Sequence, residues 1–367
     1  MRRVSMKDVA RHAGTSPATV SKVLNDGVES DRISKDCRRR VLAACRKLGY
    51  VRHRAARSLR TGRSFAIGGL LAMQVLDPGD ARSQETLQFH APLQAGMLSA
   101  ASRCGLHLVA IPGGGSRSPA ERALEQLREG CIDGLVVAGF NWPPAEPVVR
   151  RVWPQWPVVV AGGPPSLDVP NVRVDDLAPV GDAMEHLYAL AHRAIAWTGP
   201  SEGPGSYPAE RRRTYREWMQ ARGLRPQDLR AKPGPGADRE PISTRIQHLV
   251  PQLAQALRGA SPAPTGVLAY NDAWALAVYR ACAWLGLRVP DDLSVIGFDD
   301  VYAAAAMPPL TTVSLELYRV GERAVERLVR MAAGEPEDSR TDCVPARLVL
   351  RNSTAPAAGT KRREART

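Results

Sequence analysis

The stretch Ser16-Pro17-Ala18-Thr19-Val20-Ser21-Lys22-Val23-Leu24-Asn25 predicts a short helix with two different faces. Ser16 is a favourable N-cap, and Pro17 suits the first helical position, where a backbone N–H would have no helical partner. At about 100° per residue, the apolar side chains fall on one face, which gathers Val20, Val23 and Leu24. The opposite face gathers short or polar side chains, namely Ala18, Ser21, Lys22 and Asn25. We therefore expect the first face to be buried and the second to lie at a surface.

A further helix is predicted on either side of this one. The first begins near Met6 and the third ends at Leu48, and each has a serine cap before it and a glycine after it, which are Ser5 and Gly14, then Ser34 and Gly49. The apolar side of the third helix consists of Val41, Leu42, Cys45 and Leu48. Two short helices joined by a glycine-containing turn are typical of a helix-turn-helix domain. The alternative interpretation is a three-helix bundle with a solvated polar face.

Positive charge is concentrated in this part of the chain. The formal net charge of the chain is +13, and residues 1–63 alone hold 17 Lys and Arg against 5 Asp and Glu. Such a local field favours a polyanionic partner, either nucleic acid or an anionic membrane surface. A membrane-binding helix would need an outward bulky apolar face, whereas these three helices use theirs for a core. Nucleic acid is the expected partner, and a merely solvated charge run is the alternative.

The sequence favours a cytoplasmic protein that does not contact membranes. It shows no export signal and no apolar stretch of the roughly 18 residues that a membrane helix needs. The six cysteines are scattered without a CxxC pair, which is typical of free thiols rather than of disulfides or a zinc site. No metal site is therefore predicted.

The basic segment 53–64 follows the three helices. Its composition favours a helix, but a helix shorter than about 12–15 residues is marginal by itself, so this one should form only against a partner. A second copy of the segment on DNA would be such a partner. Leu59 is a lone large apolar side chain among arginines, and it would serve as a wedge between base steps in the minor groove. The alternative is a flexible basic linker with Leu59 packed against the rest of the chain.

Residues 65–356 alternate short apolar runs with helical patterns, which indicates parallel β/α layers. The predicted strands are too numerous for one compact sheet, so two doubly wound α/β subdomains with a cleft between them fit best. The strands are Ala66–Ala72, His107–Ile111, Gly134–Ala138, Val158–Ala161, Ala194–Thr198, Val267–Tyr270 and Ser294–Phe298. Amphipathic helical stretches lie between them, namely Pro119–Glu129, Gly181–His192, Ala209–Arg222, Ile246–Arg258 and Asp272–Leu285.

Polar residues follow two of these strands, where folds of this class bind ligands. Asn271 follows one strand, Asp299 follows another, and Arg211 lies at the start of a helix. An amide, a carboxylate and a guanidinium that converge on a cleft suit a small hydrogen-bonding molecule with many hydroxyl groups. The alternative is that Asp and Asn at such positions simply cap the following helix. We expect Asp272 and Asp300 to be caps of this kind.

Several stretches resemble the lactose-repressor (LacI/GalR) family. They are Lys7-Asp8-Val9-Ala10, the stretch 16–25 and Ala56-Arg57-Ser58-Leu59-Arg60-Thr61-Gly62, and then Val295-Ile296-Gly297-Phe298-Asp299-Asp300 and Pro309-Leu310-Thr311-Thr312-Val313. The resemblance implies a helix-turn-helix DNA-binding head at 1–52, a hinge helix at 53–64 and a periplasmic-binding-protein-like body at 65–356. The body would bind an effector and dimerise, and its two subdomains would be joined by crossovers near residues 162, 314 and 342. Residues 357–367 would be a basic disordered tail.

The resemblance also implies roles for individual residues. The recognition helix would contact DNA through Ser16, Pro17, Ala18, Thr19, Ser21 and Lys22. The hinge would contact the minor groove through Ala56, Arg57, Leu59 and Arg60. The effector would contact Arg211, Asn271 and Asp299. No catalytic residue and no cofactor is implied.

This sequence departs from the family pattern in several places. Pro17 and Ala18 offer little hydrogen bonding to bases, and the segment 26–32 is longer than the usual loop. The segment 73–89 replaces a shorter loop that normally contributes ligand contacts, Thr214 replaces a usual glycine, and Asp176 replaces a usual Asn. The effector therefore cannot be inherited from a relative.

These observations predict a transcriptional repressor that binds a pseudo-palindromic duplex as a homodimer, with a tetramer as a further possibility. Its operator affinity would be controlled by a small effector, a sugar or sugar derivative. An α/β enzyme is one alternative, but the sequence has no GxGxxG, nucleophile elbow, P-loop or HExxH motif. A solute-binding protein without a DNA role is the other, but it would need an export signal and has no use for a basic helical head.

Overall fold

The structure is a computed structural model that describes residues 4–24, 33–51, 58–59, 61–70, 81–111, 118–140, 142–163, 168–200, 206–234, 240–335 and 341–357. The chain divides into two compact units, Met1–Ser64 and Phe65–Thr367. The predicted tail lies outside the described residues except for Ala357, and so does the loop predicted at 26–32. No helix in the described part of the chain combines the length and the apolar character needed to cross a membrane.

The first unit contains three helices, as predicted: α1 (Met6–Ala13), α2 (Pro17–Leu24) and α3 (Lys35–Leu48). The capping box is present, because Asp8 N–H donates to Ser5 Oγ at 3.3 Å and Ser5 N–H donates to Asp8 Oδ2 at 2.9 Å. Helices α1 and α3 end at Gly14 and Gly49, whose φ angles of 62° and 61° lie in the left-handed region that glycine tolerates best. The local signals in the sequence therefore fix these boundaries.

The core of this unit is small and built from short side chains. Its buried members are Val9, Ala10, Ala13, Val20, Val23, Val41 and Ala44. The prediction for Leu42 is wrong, because its side chain is 39% exposed and Ala44 is buried instead. At about 100° per residue, Leu42 lies beyond the edge of the face that Val41, Ala44 and Leu48 share.

The second unit contains two six-stranded sheets, as the prediction of two doubly wound subdomains requires. The first sheet has the order β11-β5-β4-β3-β1-β2 and the second has the order β12-β10-β9-β8-β6-β7. The strand pairs are parallel except for β10 and β12, which are antiparallel. The strands are β1 (Ala66–Leu70), β2 (His107–Ala110), β3 (Leu135–Ala138), β4 (Val158–Ala161), β5 (Asn171–Asp175), β6 (Ile195–Thr198), β7 (Gln227–Asp228), β8 (Gly266–Ala269), β9 (Ser294–Asp299), β10 (Thr311–Ser314), β11 (Thr341–Pro345) and β12 (Arg347–Val349).

Helices cover the faces of both sheets. They are α4 (Ala81–Arg103), α5 (Pro119–Arg128), α6 (Trp142–Val152), α7 (Ala178–Ala189), α8 (Tyr207–Ala221), α9 (Ile242–Gly259), α10 (Asp272–Leu285) and α11 (Leu317–Ala332). Helices α4 and α11 pack backbone to backbone, because a Cβ on Gly96 would lie 1.9 Å from the carbonyl oxygen of Tyr318. The segment 73–89, which departs from the family pattern, contributes residues 81–89 to α4. Residues 73–80 lie outside the described part of the chain.

The chain passes between the two sheets three times. It leaves the first sheet between Asp175 and Ile195, returns between Ser314 and Thr341, and leaves again between Pro345 and Arg347. The first crossover was predicted near residue 162, and this position is wrong. The chain first adds β5 to the same sheet, because the apolar Val172 and Val174 can be buried beside β4.

Candidate functional site

Helix α2 presents a polar surface over a buried apolar face. Val20 and Val23 are 0% and 3% exposed, whereas Pro17, Ala18 and Lys22 are exposed. The side chain of Ser16 accepts a hydrogen bond from Thr19 N–H at 3.1 Å, so it caps the helix as predicted. Short side chains on an exposed helix face allow another molecule to approach the helix closely.

The predicted hinge is described only in part. Ser58 and Leu59 are helical, and Gly62 N–H donates to the carbonyl oxygen of Ser58 at 2.8 Å. Leu59 is 88% exposed, which is unusual for a side chain of this size. Three predicted DNA contacts, Ala56, Arg57 and Arg60, lie outside the described residues. The exposure of Leu59 is compatible with the wedge interpretation, which stays a prediction.

A cavity of about 440 Å³ lies between the two sheets of the second unit. Side chains at the carboxyl ends of strands line it from both subdomains, as expected for a doubly wound fold. The three predicted ligand residues all line it, and they are joined by residues that the sequence analysis did not assign to the site, which are Phe89, His90, Phe140, Asp176, Tyr207, Arg245, Tyr270, Asp272 and Tyr302.

Arg211 is the buried cation of this cavity. Its Nε donates to Asp176 Oδ2 at 2.7 Å, and its Nη1 donates to the carbonyl oxygen of Tyr270 at 3.0 Å. Asp299 Oδ1 lies 3.9 Å from Nη1, and the guanidinium lies over the ring of Phe298 at 4.0 Å from the centroid. Burial alone would lower the pKa of Arg211, but the charges of Asp176 and Asp299 raise it above its usual value. Arg211 is therefore a charged, oriented donor.

Asn271 and Asp299 form a second pair of polar groups at this edge. Asn271 Oδ1 accepts a hydrogen bond from Trp274 N–H at 3.1 Å, so Asn271 caps α10 as well as lining the cavity. Burial raises the pKa of Asp299 to about 6, while Arg211 and a hydrogen bond from Asn271 oppose that rise. The φ angle of Asp299 is 96°, a conformation that costs free energy in a residue with a Cβ and is common at functional sites.

Asp272 does not act as the helix cap that was predicted. Asn271 holds that position, and Asp272 Oδ2 instead accepts hydrogen bonds from Val301 N–H at 2.8 Å and from Tyr302 N–H at 3.1 Å. Its Oδ1 accepts a hydrogen bond from the hydroxyl of Thr312 at 2.7 Å. Asp300 is also not a cap, because its carboxylate pairs with Arg351 at 2.7 Å. Asp272 thus fixes the loop that carries Tyr302 into the cavity.

Aromatic side chains form much of the remaining wall. Phe89 of α4 lies edge-to-face against Phe140, with ring centroids 5.4 Å apart, and the ring of His90 is 5.2 Å from that of Phe89. Tyr207 could have been found in the sequence, because it lies four residues before Arg211 on one helix face. Phe89 lies in the segment 73–89, which the sequence analysis noted as replacing a loop with ligand contacts, but no helical pattern pointed to Phe89 itself. Oriented hydrogen-bonding groups between aromatic walls can bind a small polar molecule that has apolar faces.

The described residues contain no group of three or more His, Cys, Asp and Glu side chains that could hold a metal ion.

Comparisons with known proteins match both parts of the chain. The signature described as "Bacterial regulatory proteins, lacI family" matches residues 5–53, and the one described as "Periplasmic binding protein-like domain" matches residues 184–354. The ribose operon repressor of Escherichia coli (strain K12) is 32% identical over 331 residues, which are 89% of this chain and 92% of that protein. The HTH-type transcriptional repressor CytR of the same strain is 29% identical over 359 residues, 95% and 96% of the two chains.

A solved structure shows the same fold. It is the lac repressor dimer bound to operator and the anti-inducer ONPF, with a TM-score of 0.67 and 24% sequence identity. The similarity covers 96% of this chain and 100% of that chain.

Proposed function

Since the chain belongs to the LacI family of bacterial regulatory proteins, we propose that it is a transcriptional repressor whose operator binding is controlled by a sugar or sugar derivative in the cleft around Arg211. The similar proteins are transcription regulators and not enzymes, in agreement with the sequence analysis.

The exposed face of α2 supports DNA binding through the major groove. A groove admits a helix whose outward side chains are short and polar, and Lys22 can donate to guanine O6 and N7. Ser16, Thr19 and Ser21 add hydroxyl groups at the same end of the helix, and Pro17 and Ala18 allow methyl or ring contacts with thymine. The basic segment 53–64 would add contacts to phosphates. Such contacts hold the head on the duplex but carry no sequence information.

The observation that carries the effector proposal is the convergence of Arg211, Asn271 and Asp299 on one cavity. Its volume of about 440 Å³ suits a monosaccharide-sized or nucleoside-sized molecule. A guanidinium donor and a carboxylate acceptor can hold neighbouring hydroxyl groups, and the aromatic rings can cover the apolar face of a sugar ring. The similarity to a repressor named for a ribose operon supports the same class of ligand.

The mechanism follows from coupling between the cleft and the hinge. Two protomers that associate through their bodies would place two heads on a palindromic operator, and the two hinge segments would fold against each other there. An effector that changes the angle between the subdomains would alter the spacing of the hinges. By linkage, operator DNA must change the effector affinity by the same factor.

A matched pair of arginines on α8 tests the effector site. Arg211 lines the cavity, whereas its neighbour Arg212 pairs with Asp228 at 2.6 Å and does not line it. A genome-wide binding map of the full chain would identify the regulated genes, and calorimetry with the sugars they handle would identify the effector. We expect Arg211→Gln to weaken effector binding by tenfold or more, as loss of a hydrogen bond from a charged group does, roughly 1.5–3 kcal/mol.

Arg212→Gln should leave the effector affinity close to that of the wild type. Equal effects of the two substitutions, or a full effector response in Arg211→Gln, would contradict the assignment of the cleft. A binding map without preferred sites would contradict the DNA-binding part.

A further inference from the structure

Two side chains of α8, Tyr207 and Arg211, reach from the second subdomain to the first. Helix α8 connects β6 to β7 of the second sheet, whereas Gly162 follows β4 and Asp176 follows β5 of the first sheet. The hydroxyl of Tyr207 donates to the carbonyl oxygen of Gly162 at 3.0 Å, and Arg211 Nε donates to Asp176 Oδ2 at 2.7 Å. Residues four apart share a helix face, so the contacts lie one turn apart. We name this pair of contacts the α8 clasp.

The charged contact of the α8 clasp is buried, and the neutral one is half-buried. The side chains of Arg211 and Asp176 are each 5% exposed, whereas Tyr207 is partly exposed. Burial of the Tyr207 hydroxyl raises its pKa to about 12. A charge-assisted hydrogen bond is stronger than a neutral one, and a buried charged group that loses its partner is strongly disfavoured. The α8 clasp therefore favours the arrangement of subdomains in which both contacts are made.

The acceptor at Gly162 is held in place by the local backbone. The φ angle of Gly162 is 80°, and a Cβ on this residue would lie 2.3 Å from the ring of Phe140. Glycine is therefore required for the backbone to pass under the ring that forms one wall of the cavity. The ring of Phe140, which forms part of the cavity wall, therefore packs directly against Gly162, whose carbonyl oxygen accepts the hydrogen bond from Tyr207.

A second tyrosine on the same helix makes hydrogen bonds of the same kind within one subdomain. The hydroxyl of Tyr215 donates to the carbonyl oxygen of Ile195 at 2.9 Å and accepts from Gln227 N–H at 2.8 Å. Ile195 and Gln227 belong to β6 and β7 of the second sheet. Helix α8 thus carries one tyrosine that joins the two subdomains and one that does not.

We infer that the α8 clasp holds the cleft closed before any effector binds, and that Asp176 and Tyr207 position Arg211 for that effector. The inference rests on the proposed effector site. An effector then enters a closed cleft and competes with Asp176 for Arg211, so it changes the angle between the subdomains by loosening the α8 clasp rather than by drawing the subdomains together. Loss of one neutral hydrogen bond changes the ratio of closed to open molecules roughly fivefold, and loss of the charged one changes it by tenfold or more.

The distance between spin labels on the two subdomains tests this inference without DNA or any small molecule. One label is placed on the exposed native Cys131 and the other on Gln255→Cys of α9, which is also exposed. Cys37, Cys45, Cys104 and Cys343 are replaced by Ser, and Cys282 stays because it is buried and its pKa is raised to about 12. Labelled full-length chain is mixed with excess unlabelled chain, so that only distances within one protomer are recorded by pulsed electron resonance.

We expect a single narrow distance distribution for the parent protein. In Tyr207→Phe and in Asp176→Asn a second population at a different distance should appear, and it should be largest in the double variant. Tyr215→Phe should keep the parent distance even where it lowers the melting temperature. A parent distribution, narrow or broad, that neither clasp substitution changes, or an equal change in Tyr215→Phe, would overturn the inference. Operator binding is measured separately, so either proposal can fail while the other holds.

Discussion

The carboxyl group of Asp272 lies in the wall of the cleft, where burial raises its pKa from 3.8 to about 7. The charge of Asp299 adds to this rise, and the hydrogen bonds from Thr312 and from the backbone of Tyr302 and Val301 oppose it. The pKa of Asp299 itself is raised to about 6. Both groups therefore bind protons more tightly in the folded chain than in the unfolded one.

These shifts predict how stability depends on pH. Between about pH 4 and pH 7 the folded state holds more protons than the unfolded state, so the free energy of unfolding contributed by these groups falls as pH rises. Asp272→Asn should flatten this dependence, because an amide can accept the same two N–H groups and donate to Thr312. The expected difference between variant and parent across this window is on the order of a few kcal/mol, at about 1.4 kcal/mol per pKa unit.

Chemical denaturation of the full chain at several pH values measures this difference. His186 and His192 act in the opposite direction, because burial lowers the pKa of each and their contribution to stability is lost as pH falls. Subtracting the variant from the parent removes the histidine contribution, since both proteins share it. Parallel curves for the two proteins would show that Asp272 does not titrate in this window.

At the scale of elements, the segment 53–64 around Leu59 is the predicted hinge between the head and the body. Leu59 is 88% exposed, so its side chain can remove its apolar surface from water only by packing against a partner. Insertion between base steps would provide that partner and would bend the duplex toward the major groove. We therefore expect Leu59 to become buried when the protein binds its operator.

Leu59→Ala should lower the affinity for specific operator by tenfold or more, because removal of the wedge leaves the base steps stacked and the hinge without an anchor. Its effector affinity should not change, since the substitution lies outside the cleft. Fluorescence anisotropy with an operator duplex measures the first quantity, and calorimetry measures the second. Leu42→Ala, at another exposed leucine of the head, is the control and should keep the operator affinity. Parent-like operator binding in Leu59→Ala would remove the wedge from the mechanism.

The elements that sequence could predict are those with local signals. The caps Ser5, Ser16 and Ser34 defined the three head helices, and continuous apolar runs located β1, β3, β4, β8 and β9. The strands that were not predicted are β5, β7, β10, β11 and β12. They lack such runs; β5, for example, contains Asn171 and Arg173, and β11 contains Thr341 and Asp342. These edge or near-edge strands are stabilised by pairing with a neighbour, which local sequence does not record.

The same distinction holds for the cleft. Arg211, Asn271 and Asp299 could be predicted because they follow strands or begin a helix, where ligands bind in this fold class. Phe89 reaches the cavity from α4, whose hydrophobic pattern is weak and which was not predicted. Asp176 reaches it from the end of β5, whose pairing the sequence did not reveal. Its contact with Arg211 joins residues 35 positions apart and depends on the folded structure.

At the scale of the whole molecule, a basic DNA-binding head precedes a body whose cleft would bind a small effector. Phosphate contacts from the head should make DNA binding fall steeply with salt, since each contact releases counterions. The α8 clasp sets the arrangement of the body in the absence of effector. The coupling between the two ends must be reciprocal, so any effector that weakens operator binding is itself bound more weakly on the operator.

Selection of sequences from a pool of random duplexes by the full-length chain tests the central claim, which is that the exposed face of α2 reads a specific duplex. We predict enrichment of an inverted-repeat sequence by the parent protein, and a loss of affinity of about tenfold for that sequence in Lys22→Ala, with binding to random duplexes little changed. A parent protein that enriches no sequence over the starting pool would contradict the account.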